Sequence, residues 1–163
     1  MSDFASEVEA LASALQKRRA MLATAESCTG GMIAAACTDR AGSSAWFERG
    51  FVTYSNAAKT QMLGVDPGLI AAHGAVSAEV AGAMAEGALA HSEAIWSVAV
   101  TGIAGPGGAT PGKPVGTVWL AIAQRGHAAS PELLQLTGDR ASIRTQTVLI
   151  GLQRVRAAIE RNG

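Results

Sequence analysis

Ser27 lies in Glu26-Ser27-Cys28-Thr29-Gly30-Gly31, between a short apolar run, Met21 to Ala25, and a run of small residues. The apolar run reads as a buried strand, and the small residues from about Gly30 to Thr38 as a helix. A hydroxyl at such a strand-to-helix junction sits at the carboxyl-terminal edge of a sheet. The unpaired N–H groups of the helix start point to the same place. Those groups, near Gly30 and Gly31 with Thr29 beside them, can hold an oxyanion, and the glycines let a substrate approach the backbone. The chemistry this allows is nucleophilic attack on a carbonyl. An ordinary helix cap uses the same residue types, so the motif alone leaves both readings open. Cys28 is a rival nucleophile, because thiols at helix starts are activated. No histidine stands in a cysteine-protease pattern, and Cys28 otherwise reads as a small buried hydrophobe.

The base for such a serine is sought in Tyr54-Ser55-Asn56-Ala57-Ala58-Lys59, where Lys59 follows Ser27 by 32 positions. Ser55-Asn56 can cap a helix over roughly Ala57 to Leu63, which sets Asn56 and Lys59 on one face. A lysine buried beside a serine loses its proton readily, because desolvation disfavours its charge. It can then take the hydroxyl proton, as serine–lysine hydrolases do. Tyr54 would relay a proton or orient the lysine. The competing reading is a solvated helix lysine with Tyr54 in the core.

Two further groups point to substrate binding. Thr101-Gly102-Ile103-Ala104-Gly105-Pro106-Gly107-Gly108 follows an apolar strand, Ala94 to Val100, and runs on to Lys113-Pro114. Its amides, at Thr101, Gly102 and Gly105 among others, would cradle a phosphate or shape an amide pocket at the same sheet edge. The alternative is a long structural connection. The loop is neither a Walker A motif nor a dinucleotide fingerprint. Arg140 and Arg144 stand four apart near the start of the last helix, and arginine matches phosphate oxygens bidentately. An exposed helix face paired with acids is the competing reading.

The elements that must position these residues alternate. Phe4, Val8, Leu11 and Leu15 recur at helical spacing, and the helix ends on Lys17-Arg18-Arg19, which suits its C-terminal dipole. Ala45 to Tyr54 reads as a strand, Pro67 and Gly68 as a turn, and Ser77 as the cap of an alanine-rich helix running to about His91. Val115 to Ala123 and Pro131 to Leu136 read as strands joined by a hairpin-like stretch, and Asp139 caps a final helix. This order predicts a three-layer α/β/α sandwich with a mixed, mostly parallel sheet.

Composition bounds the function. The 163 residues point to one domain, 1–163. With 13 basic and 13 acidic residues, nothing marks a nucleic-acid or anionic-membrane partner. No apolar run is long enough to span a bilayer, and Met1-Ser2-Asp3-Phe4 does not read as a signal peptide. Cys28 and Cys37 are the only thiols, which suggests the reducing cytoplasm and no disulfide. His73, His91 and His127 are scattered without ligand spacing, so no metal site is expected.

Together these residues resemble the CinA C-terminal domain family, whose members include nicotinamide-nucleotide amidohydrolases. The matching stretches are Ala25 to Gly31, Gly42-Ser43-Ser44, Val52 to Asn56 with Lys59, Gly74 to Ser77, Thr101 to Pro106, and Lys113 to Val118. Their order and spacing also match. Glu48-Arg49-Gly50 departs from the Gly pair more usual there. The resemblance implies a three-layer fold, a Ser27–Lys59 site with Tyr54 nearby, and hydrolysis of a nicotinamide mononucleotide carboxamide to the carboxylate. It implies no metal or organic cofactor, and a homodimer or higher homo-oligomer.

Overall fold

The computed structural model describes residues 4–162; Met1-Ser2-Asp3 of the N-terminal reading fall outside them. The helices are α1 (Ala5–Lys17), α2 (Met32–Thr38), α3 (Asn56–Leu63), α4 (Pro67–His73), α5 (Ala78–Ala90) and α6 (Arg140–Asn162). The strands are β1 (Leu22–Glu26), β2 (Phe47–Val52), β3 (Trp96–Gly102), β4 (Thr117–Gln124) and β5 (Ser130–Gln135). They form one sheet in the order β2-β1-β3-β4-β5. β1 pairs in parallel with β2 and β3, while β3–β4 and β4–β5 are antiparallel. Only β4 therefore runs against the rest, and the sheet is mixed with most strands pointing one way.

Strand alternation separates two cores by side-chain size. Leu22, Val98, Val100, Leu120 and Ile122 face one side and pack with residues of α1, α2 and α6. Ala23, Ala25, Ala99, Ala121 and Ala123 face the other side, under α5 and the shorter α3 and α4. Because alanine methyls dominate this face beneath α5, and Ser97 donates its hydroxyl to the Ala85 carbonyl at 2.7 Å, α5 lies close to it, and four of its own seven buried residues are alanine or glycine. The sandwich thus has helices on both faces, with a thick core on one side and a thin one on the other.

Close packing extends between helices. A Cβ on Gly87 of α5 would stand 2.1 Å from the carbonyl oxygen of Leu63, at the end of α3. Backbone cannot yield there as a side-chain tip would. Gly87→Ala is expected to push α3 outward and cost about 2 kcal/mol of stability, in the range of overpacked cores. A denaturant melt measures it, and an unchanged midpoint would contradict the close approach.

Local chemistry moves several element boundaries. Gly30 and Gly31 have φ of 58° and 105°, so helix α2 starts at Met32 rather than at Gly30. Pro67 and Gly68, expected as a turn, open helix α4. Asp66 caps it by accepting the Gly68 N–H at 2.8 Å, and proline at the first helical position is already preorganised. The strand expected over Ala45 to Tyr54 is shorter, because Ser43–Ala45 form a 3₁₀ turn and β2 ends at Val52. Glu48-Arg49-Gly50 lie within β2, not in a loop. The caps expected from Ser55, Ser77 and Asp139 all form, each accepting a backbone N–H three residues on.

β1 leads into α2 on one face of the sheet, and its neighbour β2 leads into α3 on the other. The chain therefore parts at the carboxyl ends of β1 and β2, leaving a crevice where open α/β sheets bind ligands. Ser27 follows β1 directly, and Lys59 lies one turn into α3.

Candidate active site

The Ser27 turn is fixed from three directions. The Ser27 N–H still donates to Val100 of β3 at 3.1 Å, and the Gly30 N–H closes the turn on the Ser27 carbonyl at 3.1 Å. Arg144 of α6 donates from Nε to the Cys28 carbonyl at 3.0 Å and from Nη2 to the Thr29 carbonyl at 3.3 Å. Glu26, only 1% exposed, accepts the Ile33 and Ala34 amides at 2.8 and 3.0 Å and the Thr29 hydroxyl. Its carboxylate thus satisfies the free amides at the start of α2 and suits the positive end of that helix. Among the described residues, the Cys28 and Thr29 amides have no protein acceptor.

Lys59 is 1% exposed. Its Nζ lies 3.1 Å from Ser27 Oγ, 3.1 Å from the Thr53 carbonyl oxygen and 3.0 Å from that of Tyr54. Burial holds its pKa below the ordinary lysine value of 10.5, with a smaller opposing effect from Cys28. An uncharged amine has two N–H bonds and one lone pair. The two carbonyls take the two donors, so the lone pair is left for Ser27. The carbonyls themselves are positioned by the end of β2, where the Thr53 N–H donates to the Glu26 carbonyl at 2.9 Å.

Ser27, Tyr54, Asn56, Thr101, Gly102 and Arg140 share the lining of a cleft of about 240 Å³. Thr101 donates its hydroxyl to the Ala75 carbonyl at 2.9 Å and so holds the loop before α5 against the site. Arg140 reaches the cleft while donating to the Gly105 carbonyl at 2.9 Å. Two larger depressions, of about 420 and 500 Å³, lie at the opposite sheet edge around Trp96 and between α3 and α4. Neither brings a serine hydroxyl within hydrogen-bond distance of a basic side chain, as the smaller cleft does with Ser27 and Lys59.

Other expected residues sit elsewhere. Thr29 is buried and turned to Glu26, and Gly30, Gly31 and Gly105 lie outside the cleft lining. The Gly30 amide is spent on Ser27. Arg144 braces the serine turn through Nε and Nη2, two of its three donor nitrogens. Lys113 donates to the His73 carbonyl at 2.9 Å, so the glycine loop ties down the end of α4. Tyr54 meets the lysine through its backbone oxygen, which accepts from Nζ at 3.0 Å, and the residue is otherwise exposed. Burial raises the Cys28 thiol to about 11 and Cys37 to about 12, which leaves Cys28 protonated at neutral pH. Among the described residues, no cluster of three or more His, Cys, Asp or Glu side chains could hold a metal ion. None of their helices is long and apolar enough to cross a membrane.

Glu26 is the residue that motif reading passes over. The available signal is an acid ending a buried strand directly before a small-residue helix. Glu26→Ala leaves a hydroxyl and two amides without their acceptor, at about 1–3 kcal/mol for each buried group. The expected loss is at least about 2 kcal/mol, read as a lowered thermal midpoint; an unchanged midpoint would deny Glu26 this role.

Fold and site define an α/β/α domain that sets a serine and a buried lysine together at the carboxyl edge of its sheet. The chain belongs to the CinA C-terminal domain family, whose model matches residues 5–159. It is 51% identical over 145 residues to the nicotinamide-nucleotide amidohydrolase PncC of Escherichia coli K12, covering 89% of this chain and 88% of that one. Pseudomonas putida PncC is 54% identical over 138 residues, covering 85% and 86%. A CinA-like protein of Mycolicibacterium vanbaalenii is 54% identical over 87% of this chain, which spans 34% of that relative's length. Among solved structures, competence/damage inducible protein CihA from Agrobacterium tumefaciens has a TM-score of 0.87 at 45% identity, covering 94% of this chain and 96% of that one. The competence damage-inducible protein A from Klebsiella pneumoniae reaches 0.93 at 35% identity, covering 97% and 98%.

Proposed function

We propose that the protein is a nicotinamide-nucleotide amidohydrolase that converts nicotinamide mononucleotide and water to nicotinate mononucleotide and ammonia. The observation that carries this reading is the 3.1 Å approach of buried Lys59 Nζ to Ser27 Oγ, with two backbone carbonyls occupying the lysine's other directions. The names of the similar amidohydrolases support the substrate class.

In this mechanism uncharged Lys59 takes the Ser27 proton as Oγ bonds to the carboxamide carbon. The carbonyl oxygen becomes an oxyanion facing the amides of Cys28 and Thr29, which together with that of Gly31 are the free donors of the turn. The lysine, now protonated, gives its proton to the amide nitrogen. The carbon–nitrogen bond breaks, ammonia leaves, and the acyl group remains as an ester on Ser27. Water then loses a proton to Lys59 and attacks the ester carbon. Collapse of that second intermediate returns the proton to Ser27 Oγ and frees the carboxylate. Arg140 on the cleft wall takes the substrate phosphate. No metal or organic cofactor enters the scheme. The protein works in the cytoplasm as a homodimer or higher homo-oligomer.

The test is ammonia release and product identity with purified protein and nicotinamide mononucleotide, with free nicotinamide in parallel. Nicotinate mononucleotide should form with equimolar ammonia, and free nicotinamide, which lacks the phosphate, should be a far poorer substrate. A folded protein that releases no ammonia from the mononucleotide would refute the reading.

A further inference from the structure

The cleft has an electrostatic peculiarity. A nicotinamide nucleotide carries a positively charged pyridinium ring, yet no aspartate or glutamate lines the cleft among the described residues. Glu26, buried just behind it, is fully engaged by the Thr29 hydroxyl and two amides. A carboxylate in the cleft would also favour the charged lysine and so disarm the base. Arg140, whose guanidinium is charged on the wall, repels a cation. Something other than a negative charge must therefore receive the ring.

Tyr54 is the one group on the wall suited to it. It is the only tyrosine of the chain, and the residue is 64% exposed although its backbone oxygen is held by Lys59. The backbone oxygen lies 3.0 Å from Lys59 Nζ and 3.4 Å from Ser27 Oγ, so the residue that carries the ring is anchored directly beside the nucleophile on the cleft wall. The carboxamide is joined directly to the pyridinium ring, so a carboxamide held at Ser27 brings that ring next to Tyr54. The other exposed large apolar side chains, such as Val52 and Met62, are not aromatic. The phenol enters no hydrogen bond among the described residues, which leaves the ring face free.

We propose that Tyr54 is a specificity residue whose ring face receives the cationic pyridinium of the substrate by a cation–π contact. The contact recognises positive charge without placing a negative one beside Lys59. It selects the oxidised ring over the neutral dihydropyridine of the reduced nucleotide. This rests on the amidohydrolase reading above.

The experiment measures binding without turnover. In a Ser27→Ala background, calorimetry gives Kd for oxidised and reduced nicotinamide mononucleotide, with Tyr54 intact and as Leu or Phe. With Tyr54 intact the oxidised form should bind more tightly. Tyr54→Leu should weaken the oxidised form about tenfold, the size of a partly desolvated cation–π contact, and leave the reduced form nearly unmoved. Tyr54→Phe, which keeps the ring face, should recover most of the loss. Equal weakening of both forms by Tyr54→Leu, or no weakening of either, would overturn the proposal. So would a Phe variant as impaired as the Leu variant. Absence of ammonia release from the wild-type protein is a separate failure, that of the amidohydrolase reading.

Discussion

Ser27→Ala is expected to lower the turnover of nicotinamide mononucleotide at least about a hundredfold, the lower end of what loss of an acting catalytic group costs. In the proposed mechanism the substitution removes the oxygen that forms the new bond, and nothing nearby can replace it. The adjacent Cys28 thiol is held by burial near 11 and stays protonated at neutral pH. The turn itself should persist, because it is held by the Ser27 amide, Glu26 and Arg144 rather than by the Ser27 hydroxyl. Steady-state ammonia release, with a thermal melt of the same sample, measures both halves. A variant that keeps its melting point and its turnover would exclude Ser27 as nucleophile.

Lys59→Met should cost a similar factor, at least about a hundredfold, and should also change the pH dependence. In the proposed mechanism the working base is the uncharged amine. Wild-type kcat/KM should therefore rise with pH through the Lys59 pKa and fall below it, and burial places that pKa under 10.5. In the Met variant this limb should vanish. Arginine in place of Lys59 stays charged at any working pH and should not restore the activity. Stability follows the same proton. Between the lowered folded pKa and the unfolded value near 10.5, the unfolded chain binds more protons, so wild-type stability should increase with pH in that window. Lys59→Met should remove this contribution. Urea melts across pH measure the slope, and a rate profile identical in both proteins would show that Lys59 is not the base.

The sequence exposes the layers of this fold because alternation within strands is strong. Ala23 and Ala25 against Leu22, and Ala99 against Val98 and Val100, give the sheet two unlike faces. It exposes the serine because strand, turn and small-residue helix are contiguous. The lysine is harder, since its burial depends on α3 crossing to the opposite face from α2. Boundaries slip where one side chain decides: Asp66 turns an expected bend into a helix, and Gly31 delays one. Arg144 is illegible in its true place. A helix arginine four positions after another reads as a surface or phosphate group, and only the fold brings it to Cys28 across 116 positions. Likewise the carbonyls of Thr53 and Tyr54 carry no signature, because any residue supplies a carbonyl.

The covalent role of Ser27 is the centre of the account. Rapid acid quench of the wild-type protein during turnover of nicotinamide mononucleotide, followed by peptide mass spectrometry, tests it most directly. A nicotinate mononucleotide ester on Ser27 is expected, absent from Ser27→Ala and appearing together with the first equivalent of ammonia. An adduct on Cys28, or an unmodified Ser27 in protein that is releasing ammonia, would contradict it.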